Sequence, residues 1–404
     1  MENNHIPNVT NEQFRFSEKA KWFSWSLIAI GILSVLYGIF DKDISEERIW
    51  ANILIDGFFF FGIGLCAAFF MAVQHAAEAA WATVLKRIFE AVGSYMYVGW
   101  LLLIIAFAFG GHHIYHWMNH ELYDPASPEY DKIIANKSAY LNLPFFWIRT
   151  CAYLIIWIGY IYLMRRRSLQ EDRIGGTDIH YKNQAFSAAF LVLFAITSST
   201  SAWDWIMSID THWYSTIFGW YTFSGIWISG LVVMTLLILY LKRKGYLQQV
   251  NASHLHDMGK WIFAISFLWS YLWFFQFMLI WYTDIPEEIT YFKVRLDDYN
   301  VFYFAIVLIN FALPMIFLMD RDNKRNPFII TAICIILILG HWSDVYMMIT
   351  PGVLKGEGTI GLLEVGMFLG VTGLFIYFVL RTLSRAPLIV QKSPYLQESL
   401  DLQY

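Results

Sequence analysis

The sequence predicts an all-α, polytopic integral membrane protein, and three observations support this fold class. First, the 404-residue chain is 58% hydrophobic and only 15% charged, whereas soluble domains contain about 25% charged residues. Second, about ten runs of mostly apolar residues each reach the roughly 20 residues that a membrane-crossing helix requires. Third, these runs lack the alternation of apolar and polar residues that is typical of strands in a membrane barrel. Together these observations exclude a soluble enzyme, a disordered chain and a fibrous protein.

The apolar runs divide the chain into a membrane domain with a polar tail at each end. We expect an N-terminal tail over residues 1–21, a ten-span membrane domain over 22–381 and a C-terminal tail over 382–404. The predicted spans, numbered 1 to 10, cover residues 22–40, 52–74, 88–109, 144–164, 184–207, 215–241, 261–281, 299–319, 327–346 and 360–381.

Positively charged residues predict the orientation of these spans. Lysine and arginine are concentrated in the loops on the side of the N-terminus, for example at residues 165–167 and 242–244. Because cytoplasmic loops are enriched in these residues, both termini are predicted to be cytoplasmic. The polar first residues lack a signal-peptide pattern, so we expect the first span to insert without cleavage. The longest outer connection is predicted at about residues 110–143.

Composition also argues against several classes of function. The net charge is −4, from 28 Lys and Arg against 32 Asp and Glu, and does not favour nucleic acid as a partner. Cys66, Cys151 and Cys334 form no CxxC or CxxCH motif, which argues against covalent haem or a cysteine-held iron–sulfur cluster in this chain. A phosphate-binding loop of the P-loop type is also lacking. We therefore expect that this chain alone binds no cofactor.

Ionisable residues inside the predicted spans are functional candidates, because each costs several kcal/mol to place in a bilayer. An outer layer lies toward the side opposite the termini and consists of Asp56, Arg149, Asp204, His341, Asp344 and Glu364. We interpret these residues as candidates for a quinone site or an outer proton path. His341 and Asp344 are three residues apart and should share one helix face, where a histidine beside a carboxylate can pass a proton near neutral pH.

The residues of this outer layer could instead have structural roles. Arg149 could form a salt bridge with Asp56 or Asp204, extend to the outer surface, or tune the protonation of a nearby carboxylate. The His341–Asp344 pair could form a simple hydrogen bond at the outer interface, and Glu364 could lie at that interface.

An inner layer of ionisable residues lies toward the side of the termini. It consists of His75 and Glu78 at the end of span 2, Glu90 in span 3, and His256 and Asp257 at the start of span 7. These residues are candidates for an inner proton path. His75 and Glu78 are predicted to share one helix face, with a solvated helix end as the alternative. Glu90 could instead pair with Lys86 or Arg87.

Two further patterns suggest ligands less directly. Four outer histidines form a tight cluster in which the pairs 112/116 and 116/120 have the i,i+4 spacing of a helix. The cluster lacks a cysteine or HExxH pattern, so we predict a solvated or docking surface and no metal site. The four residues are His112, His113, His116 and His120. Aromatic residues make up 19% of the chain, and flat rings such as those of Trp269 and Trp273 suit either the wall of a quinone site or lipid-facing packing.

Two segments are similar to a known family. One is STSAWDWIMSIDTHWYSTIFG at residues 199–219, and the other begins HLHDMGK at residue 254 and continues through WSYLWFFQFMLIWY to residue 282. Both resemble the large membrane subunits of bacterial alternative complex III, within the wider NrfD/polysulfide-reductase membrane-subunit family. The matching region covers roughly spans 5 to 7, and the ten-span count extends the resemblance to most of the chain. That complex contains two such subunits, and the modest length and short polar tail are more similar to the smaller one than to its larger sister.

The resemblance implies a cofactor-free subunit with two four-helix bundles plus flanking helices, in a bacterial cytoplasmic membrane. Its expected partners are a sister ten-span subunit, an iron–sulfur/molybdopterin-like subunit, multihaem cytochrome c subunits and, in some complexes, a terminal oxidase. Haem c and iron–sulfur clusters would belong to those partners, and the complex would oxidise quinol, for example menaquinol. A secondary transporter with intramembrane carboxylates and a purely structural membrane anchor are the alternatives.

Overall fold

The computed structural model describes residues 12–403 and contains, in that part of the chain, ten helices long and apolar enough to cross a membrane. Each coincides with one predicted span, so the prediction of an all-α polytopic membrane protein is confirmed. They are Glu18–Phe40, Glu46–Ala76, Ala80–Phe109, Leu143–Ile174, Asp178–Ile209, Phe218–Arg243, Ala252–Thr283, Asn300–Leu318, Pro327–Glu357 and Leu362–Leu383. Residues 1–11 of the predicted N-terminal tail and Tyr404 of the C-terminal tail lie outside the described residues.

Polar caps set several helix ends just beyond the apolar runs. Ser17 and Ser45 begin spans 1 and 2, where their side chains accept hydrogen bonds from backbone N–H groups of the first turn. Asn142 and Asn326 cap spans 4 and 9 in the same way, each ahead of a proline in the first turn. Such caps satisfy N–H groups that a helix leaves unpaired. The spans are therefore longer than their hydrophobic runs.

Shorter helices connect the spans. They are Gly111–Ile114, His116–Met118, His120–Tyr123, Lys132–Asn136, Pro286–Asp297 and Arg321–Arg325. A further short helix, Leu396–Leu400, lies in the C-terminal segment after span 10. Span 3 is divided into Ala80–Leu85, Lys86–Gly93 and Met96–Phe109, and span 8 contains the π-helical turn Leu308–Ala312. Between residues 12 and 403 there is no strand, and Gln13 and Pro387 form an isolated antiparallel bridge.

The spans form two four-helix bundles flanked by a helix pair. Spans 2–5 pack together as one bundle and spans 6–9 as the other, while spans 1 and 10 pack against each other along the side. Span 2 lies at the centre and contacts spans 3, 5, 6, 9 and 10. In an 18-residue apolar window of span 2, 89% of the residues are buried, whereas only 17% are buried in the corresponding window of span 1. Span 2 therefore forms the core, and span 1 lies at the periphery of the membrane domain.

The C-terminal segment folds back on the ends of the spans. The Leu388 N–H donates to the Glu12 carbonyl at 2.9 Å, and the Ser399 hydroxyl donates to the Trp81 carbonyl at 2.8 Å. The Asn251 amide reaches the Leu402 carbonyl at 2.6 Å. Both described ends of the chain therefore lie on one side of the membrane domain, as an even number of spans requires.

Spans 1 and 10 approach each other at two glycines, Gly31 and Gly370. A Cβ placed on Gly31 would lie 2.5 Å from the Cα of Gly370. Small residues at such crossings allow helix backbones in a membrane to pack closely. We expect Gly370→Leu to separate this pair and destabilise the protein by about 1–3 kcal/mol through overpacking, measured as a lower midpoint of thermal unfolding in detergent. Gly159→Leu is the matched control, because a Cβ at Gly159 meets nothing within 4 Å. Equal midpoints for the two variants would contradict the prediction.

Candidate functional site

Asp344 lies buried in the centre of the second bundle, with 2% of its surface exposed. Its carboxylate accepts a hydrogen bond from the indole N–H of Trp269 on span 7 at 2.9 Å. Tyr221 on span 6 donates its hydroxyl to the other carboxylate oxygen. Among residues 12–403 no cationic side chain forms an ion pair with Asp344. This carboxylate is therefore held by neutral donors alone.

His341 lies one helical turn from Asp344 and is also buried. Its ring stands perpendicular to the Trp269 ring, with the centroids 5.4 Å apart. Within the described chain, neither ring nitrogen has a hydrogen-bond partner. Trp269 thus contacts both His341 and Asp344, and the structure brings these two predicted residues together around one indole. Buried polar atoms are nearly always paired, so an unpaired imidazole marks a place where water or a ligand could bind.

Asn310 adds a third polar side chain to this region. It belongs to the π-helical turn of span 8, is fully buried, and has no hydrogen-bond partner for its amide among residues 12–403. Single π-turns within α-helices are frequent at functional sites. Pro314 lies two residues after the last residue of this turn. The amide packs against Gly340, the residue before His341, where a Cβ would lie 2.1 Å from the Asn310 Oδ1.

This contact predicts the effect of a side chain at Gly340. We expect Gly340→Ala to displace Asn310 and lower the free energy of unfolding by about 1–3 kcal/mol, because the new methyl group overpacks the site. Thermal unfolding of the purified protein measures the effect. Gly159→Ala is the control in an open position, and an unchanged midpoint for Gly340→Ala would show that the bundle relaxes without strain.

Asp56 connects the two bundles. Its Oδ1 accepts a hydrogen bond at 2.8 Å from the indole N–H of Trp342, which lies on span 9 beside His341. Its Oδ2 has no partner within the described residues, and only 1% of the residue is exposed. Asp56 on span 2 thus contacts span 9, the helix that carries Asp344, and each of the two carboxylates accepts a hydrogen bond from an indole N–H.

A small cavity extends outward from Tyr221. Its lining includes Tyr221, Gln276, Tyr291, Arg295 and Tyr303. Its volume of about 10 Å³ is room for about one water molecule. The Tyr221 hydroxyl donates a hydrogen bond to Asp344. The cavity therefore places polar side chains such as Gln276 and Arg295 near the tyrosine that contacts the buried carboxylate.

Asp210 lies at the outer end of this polar region, just beyond span 5. Arg295 approaches it at 3.5 Å and also donates to the carbonyls of Met347 and Met348 at 3.0 and 3.1 Å. Burial raises the pKa of Asp210, and the neighbouring Arg295 guanidinium partly opposes that rise. A carboxyl with a raised pKa can exchange protons closer to neutral pH than an ordinary aspartate.

Arg149 and Asp204 form a separate ion pair in the first bundle. Two guanidinium nitrogens donate to the two carboxylate oxygens at 2.7 and 2.9 Å. Tyr153 donates to the same carboxylate at 2.8 Å, and the guanidinium lies 4.0 Å from the ring centroids of Tyr140 and Phe145. Of the two partners that the sequence left open for Arg149, the structure selects Asp204. This pair does not join the Asp344 cluster.

Glu364 is paired as well. Arg48 of span 2 donates to both of its oxygens at 2.7 and 2.9 Å, and Asn52 donates at 3.0 Å. The Gly361 N–H donates to it at 2.7 Å. Glu364 therefore joins span 10 to span 2 and caps its own helix.

On the inner side, Glu90 lies in a network of balanced charges. Arg87 donates to it at 2.8 Å, and Arg165 of span 4 forms a second ion pair. Arg87 also pairs with Asp172. One of the predicted partners, Arg87, is thus observed. The other, Lys86, pairs instead with Glu171 at 2.7 Å.

His75 and Glu78 do not share a helix face, and the sequence prediction on this point was wrong. Span 2 ends at Ala76, and Glu78 has a backbone φ of +50° that turns the chain away. Both residues nevertheless line one cavity of about 30 Å³, together with His180 and Tyr395. Glu78 lies 3.3 Å from His180 Nε2 and accepts a hydrogen bond from the Tyr395 hydroxyl at 3.3 Å.

His256 and Asp257 occupy a different place at the start of span 7. Asp257 pairs with Lys260 at 2.6 Å, and neither residue lines the cavity of His75. The predicted inner layer is therefore divided between the two bundles.

The outer histidines do not converge on a metal site. No group of three His, Cys, Asp or Glu side chains within residues 12–403 is arranged to hold a metal ion. His113 instead stacks on Trp50 and lies 3.4 Å from Glu46 and 3.5 Å from Glu47.

Sequence reasoning missed several residues of these sites, among them Tyr221, Asn310, Arg295 and His180. An asparagine within an apolar run, four residues before Pro314, is a signal that could have identified Asn310. His180 precedes the predicted start of span 5 at residue 184 by a few residues on the inner side and could have been grouped with His75. Tyr221 has no such signal, because tyrosine is common throughout the chain.

Together, the fold and these sites define a polytopic helical membrane protein with buried ionisable groups near both ends of its spans. In comparisons with known proteins, no family model and no curated protein sequence matches this chain.

Proposed function

We propose that this chain is an integral membrane subunit of a quinol-oxidising respiratory complex of the alternative complex III type, and that its counterpart there is the smaller of the two ten-span subunits. The resemblance of residues 199–219 and 254–282 supports the type of complex. The observation that best supports a proton-handling role is Asp344, a buried carboxylate without a cationic partner among the described residues, beside an unpaired His341.

In this proposal the second bundle provides the outer half-path. A proton held between His341 and Asp344 would pass through the Tyr221 hydroxyl to water in the adjoining cavity, and then to Asp210 at the outer surface. The Tyr221–Asp344 hydrogen bond and the one-water size of the cavity support the middle of this path. Additional water would have to join His341 to Asp344 and the cavity to Asp210, because His341 has no hydrogen-bond partner among the described residues and Asp210 does not line the cavity. Asp56 would be a second proton acceptor, and its hydrogen bond from Trp342 would connect it to span 9.

The inner half-path would begin at the cavity of His75, Glu78 and His180. Imidazole groups exchange protons near neutral pH, whereas Glu90 is neutralised by two arginines and fits a structural role better. His256 and Asp257 would form a separate proton acceptor at the inner end of the second bundle. Continuous translocation would require both halves to connect, and the outer half alone would support proton release.

The chain would need partners for electron transfer. The proposal places haem c and iron–sulfur clusters in the cytochrome c and iron–sulfur/molybdopterin-like subunits, next to a sister ten-span subunit and, in some complexes, a terminal oxidase. Quinol or menaquinol would be the electron donor, in a bacterial cytoplasmic membrane with both termini in the cytoplasm.

Mild extraction from native membranes by a tag on this chain tests the proposal. A haem c spectrum and a second ten-span chain in equal amount are expected in the purified particle. A lone chain without haem would refute the proposal and favour a secondary transporter, which should be purifiable alone and bind a solute.

A structural anchor is the second candidate, and specific contacts favour it. Asp204, Glu364 and Glu90 each have an arginine partner at hydrogen-bond distance. If the chain is only an anchor, substitution of Asp344 should change assembly of the complex and leave turnover per assembled complex unchanged.

A further inference from the structure

A large apolar cleft lies between part of the span 1–span 10 pair and the neighbouring spans 2, 6 and 9. Its volume is about 510 Å³, and spans 1, 2, 6, 9 and 10 all contribute to its lining. Phe60, Leu237, Ile338, Phe368 and Ile376 are among the lining residues. A cleft with such a lining, within the part of the protein that spans the membrane, suits a hydrocarbon chain.

A basic pocket of about 890 Å³ lies beside this cleft, on the side of both termini. Its cationic residues are Arg15, Lys21, Arg381 and Arg385. The three arginines are exposed and form no ion pair with any of residues 12–403. This pocket therefore has positive charge that the described protein leaves uncompensated.

Carboxylates near the pocket are already engaged. Glu18 pairs with Lys21 at 2.6 Å, and Glu12 accepts a hydrogen bond at 2.9 Å from the backbone N–H of Leu247. The three guanidinium groups are thus the groups available to an anion. Guanidinium groups bind phosphate oxygens through paired, charge-assisted hydrogen bonds.

The cleft and the pocket are adjacent along both helices. Ala20 lines the cleft and Lys21 the pocket on span 1, while Leu380 lines the cleft and Arg381 the pocket on span 10. The apolar cleft and the cationic pocket thus meet at the ends of spans 1 and 10 that lie on the side of the termini. Basic pockets between membrane helices bind anionic headgroups in this way.

We propose that this composite site binds an anionic phospholipid, with its phosphate on Arg15, Arg381 and Arg385 and an acyl chain in the cleft. The lipid would fill the space between the helix pair and span 2, stabilising the flanking pair against the core. A free phosphate would make no use of the cleft, and a quinone has no charge to match the arginines. The proposal does not depend on the respiratory function.

Lipid retention by the full-length chain tests this site. The protein would be placed in nanodiscs of equal phosphatidylglycerol and phosphatidylcholine, released, and analysed by native mass spectrometry. We expect wild-type protein to retain phosphatidylglycerol selectively, and R381Q/R385Q to lower that selectivity about 25-fold, taking about fivefold for each arginine that contacts the bound headgroup. R166Q/R243Q, at two exposed arginines outside the site, is the charge-matched control and should retain the wild-type ratio.

A second pair of variants tests the acyl chain. Ala20→Phe adds a ring to the cleft and should reduce the retained phosphatidylglycerol, whereas Ala29→Phe, on the exposed part of the same span, should not. Equal retention of the two lipids by wild type, or equal loss in R166Q/R243Q, would overturn the proposal. Full retention in Ala20→Phe would also overturn it, because it would indicate a site for the phosphate group alone.

Discussion

In the proposed quinol-oxidising complex, Asp344→Asn should lower turnover by about 100-fold or more, the usual contribution of a positioned proton-transfer group. Asparagine keeps the shape of the side chain but cannot take up and release a proton. The measurement is quinol oxidation and proton release per haem c in the purified complex. Asp344→Glu, which keeps the carboxyl group, should retain part of the activity.

A matched control separates this effect from the simple loss of a carboxylate. Asp43 is exposed in the connection between spans 1 and 2, and Asp43→Asn should leave turnover unchanged. The haem content of the Asp344→Asn complex should equal that of wild type. Normal turnover in an intact Asp344→Asn complex would eliminate Asp344 from the proton path and support the structural anchor.

Asp204→Asn should destabilise the protein by about 3–5 kcal/mol, the cost of leaving one partner of a buried ion pair alone. The Arg149 guanidinium would lose its counter-charge and one of its two acceptor oxygens while its side chain, with 10% of its surface exposed, stays buried. Thermal unfolding in detergent and the yield of folded protein measure this effect. The double variant Arg149→Gln/Asp204→Asn should recover part of the stability, because it removes the unpaired charge.

The surface pair Lys21–Glu18 provides the comparison for this second prediction. Its side chains are 37% and 76% exposed, and Glu18→Gln should cost less than about 1 kcal/mol. If Asp204→Asn costs no more than Glu18→Gln, the buried pair contributes little to the fold. Because Asp204 lies outside the proposed proton path, quinol oxidation and proton release per assembled Asp204→Asn complex should be unchanged.

Local sequence spacing predicted only part of the site. Glu90 and Arg87 are three residues apart on one helix, and their pairing was among the expected arrangements. The same spacing failed for His75 and Glu78, because the helix ends at Ala76. Spacing indicates a shared face only where the helix continues, and helix ends depend on caps and on contacts with other segments.

The sequence alone determined the number, order and approximate bounds of the ten spans. A bilayer requires about 20 apolar residues per helix, and that requirement holds whatever the neighbouring helices are. Span 2, for example, was predicted over residues 52–74 and is observed at Glu46–Ala76, so the apolar run located the helix.

Only the tertiary structure decided which buried groups meet. Arg149 pairs with Asp204, Asp56 bonds to Trp342, and Asp344 is held by Tyr221. Each contact joins residues that are far apart in the chain, and it depends on how the helices rotate and cross when their side chains pack. Helical periodicity specifies the face on which a residue lies, whereas its partner is set by the packing of all ten spans.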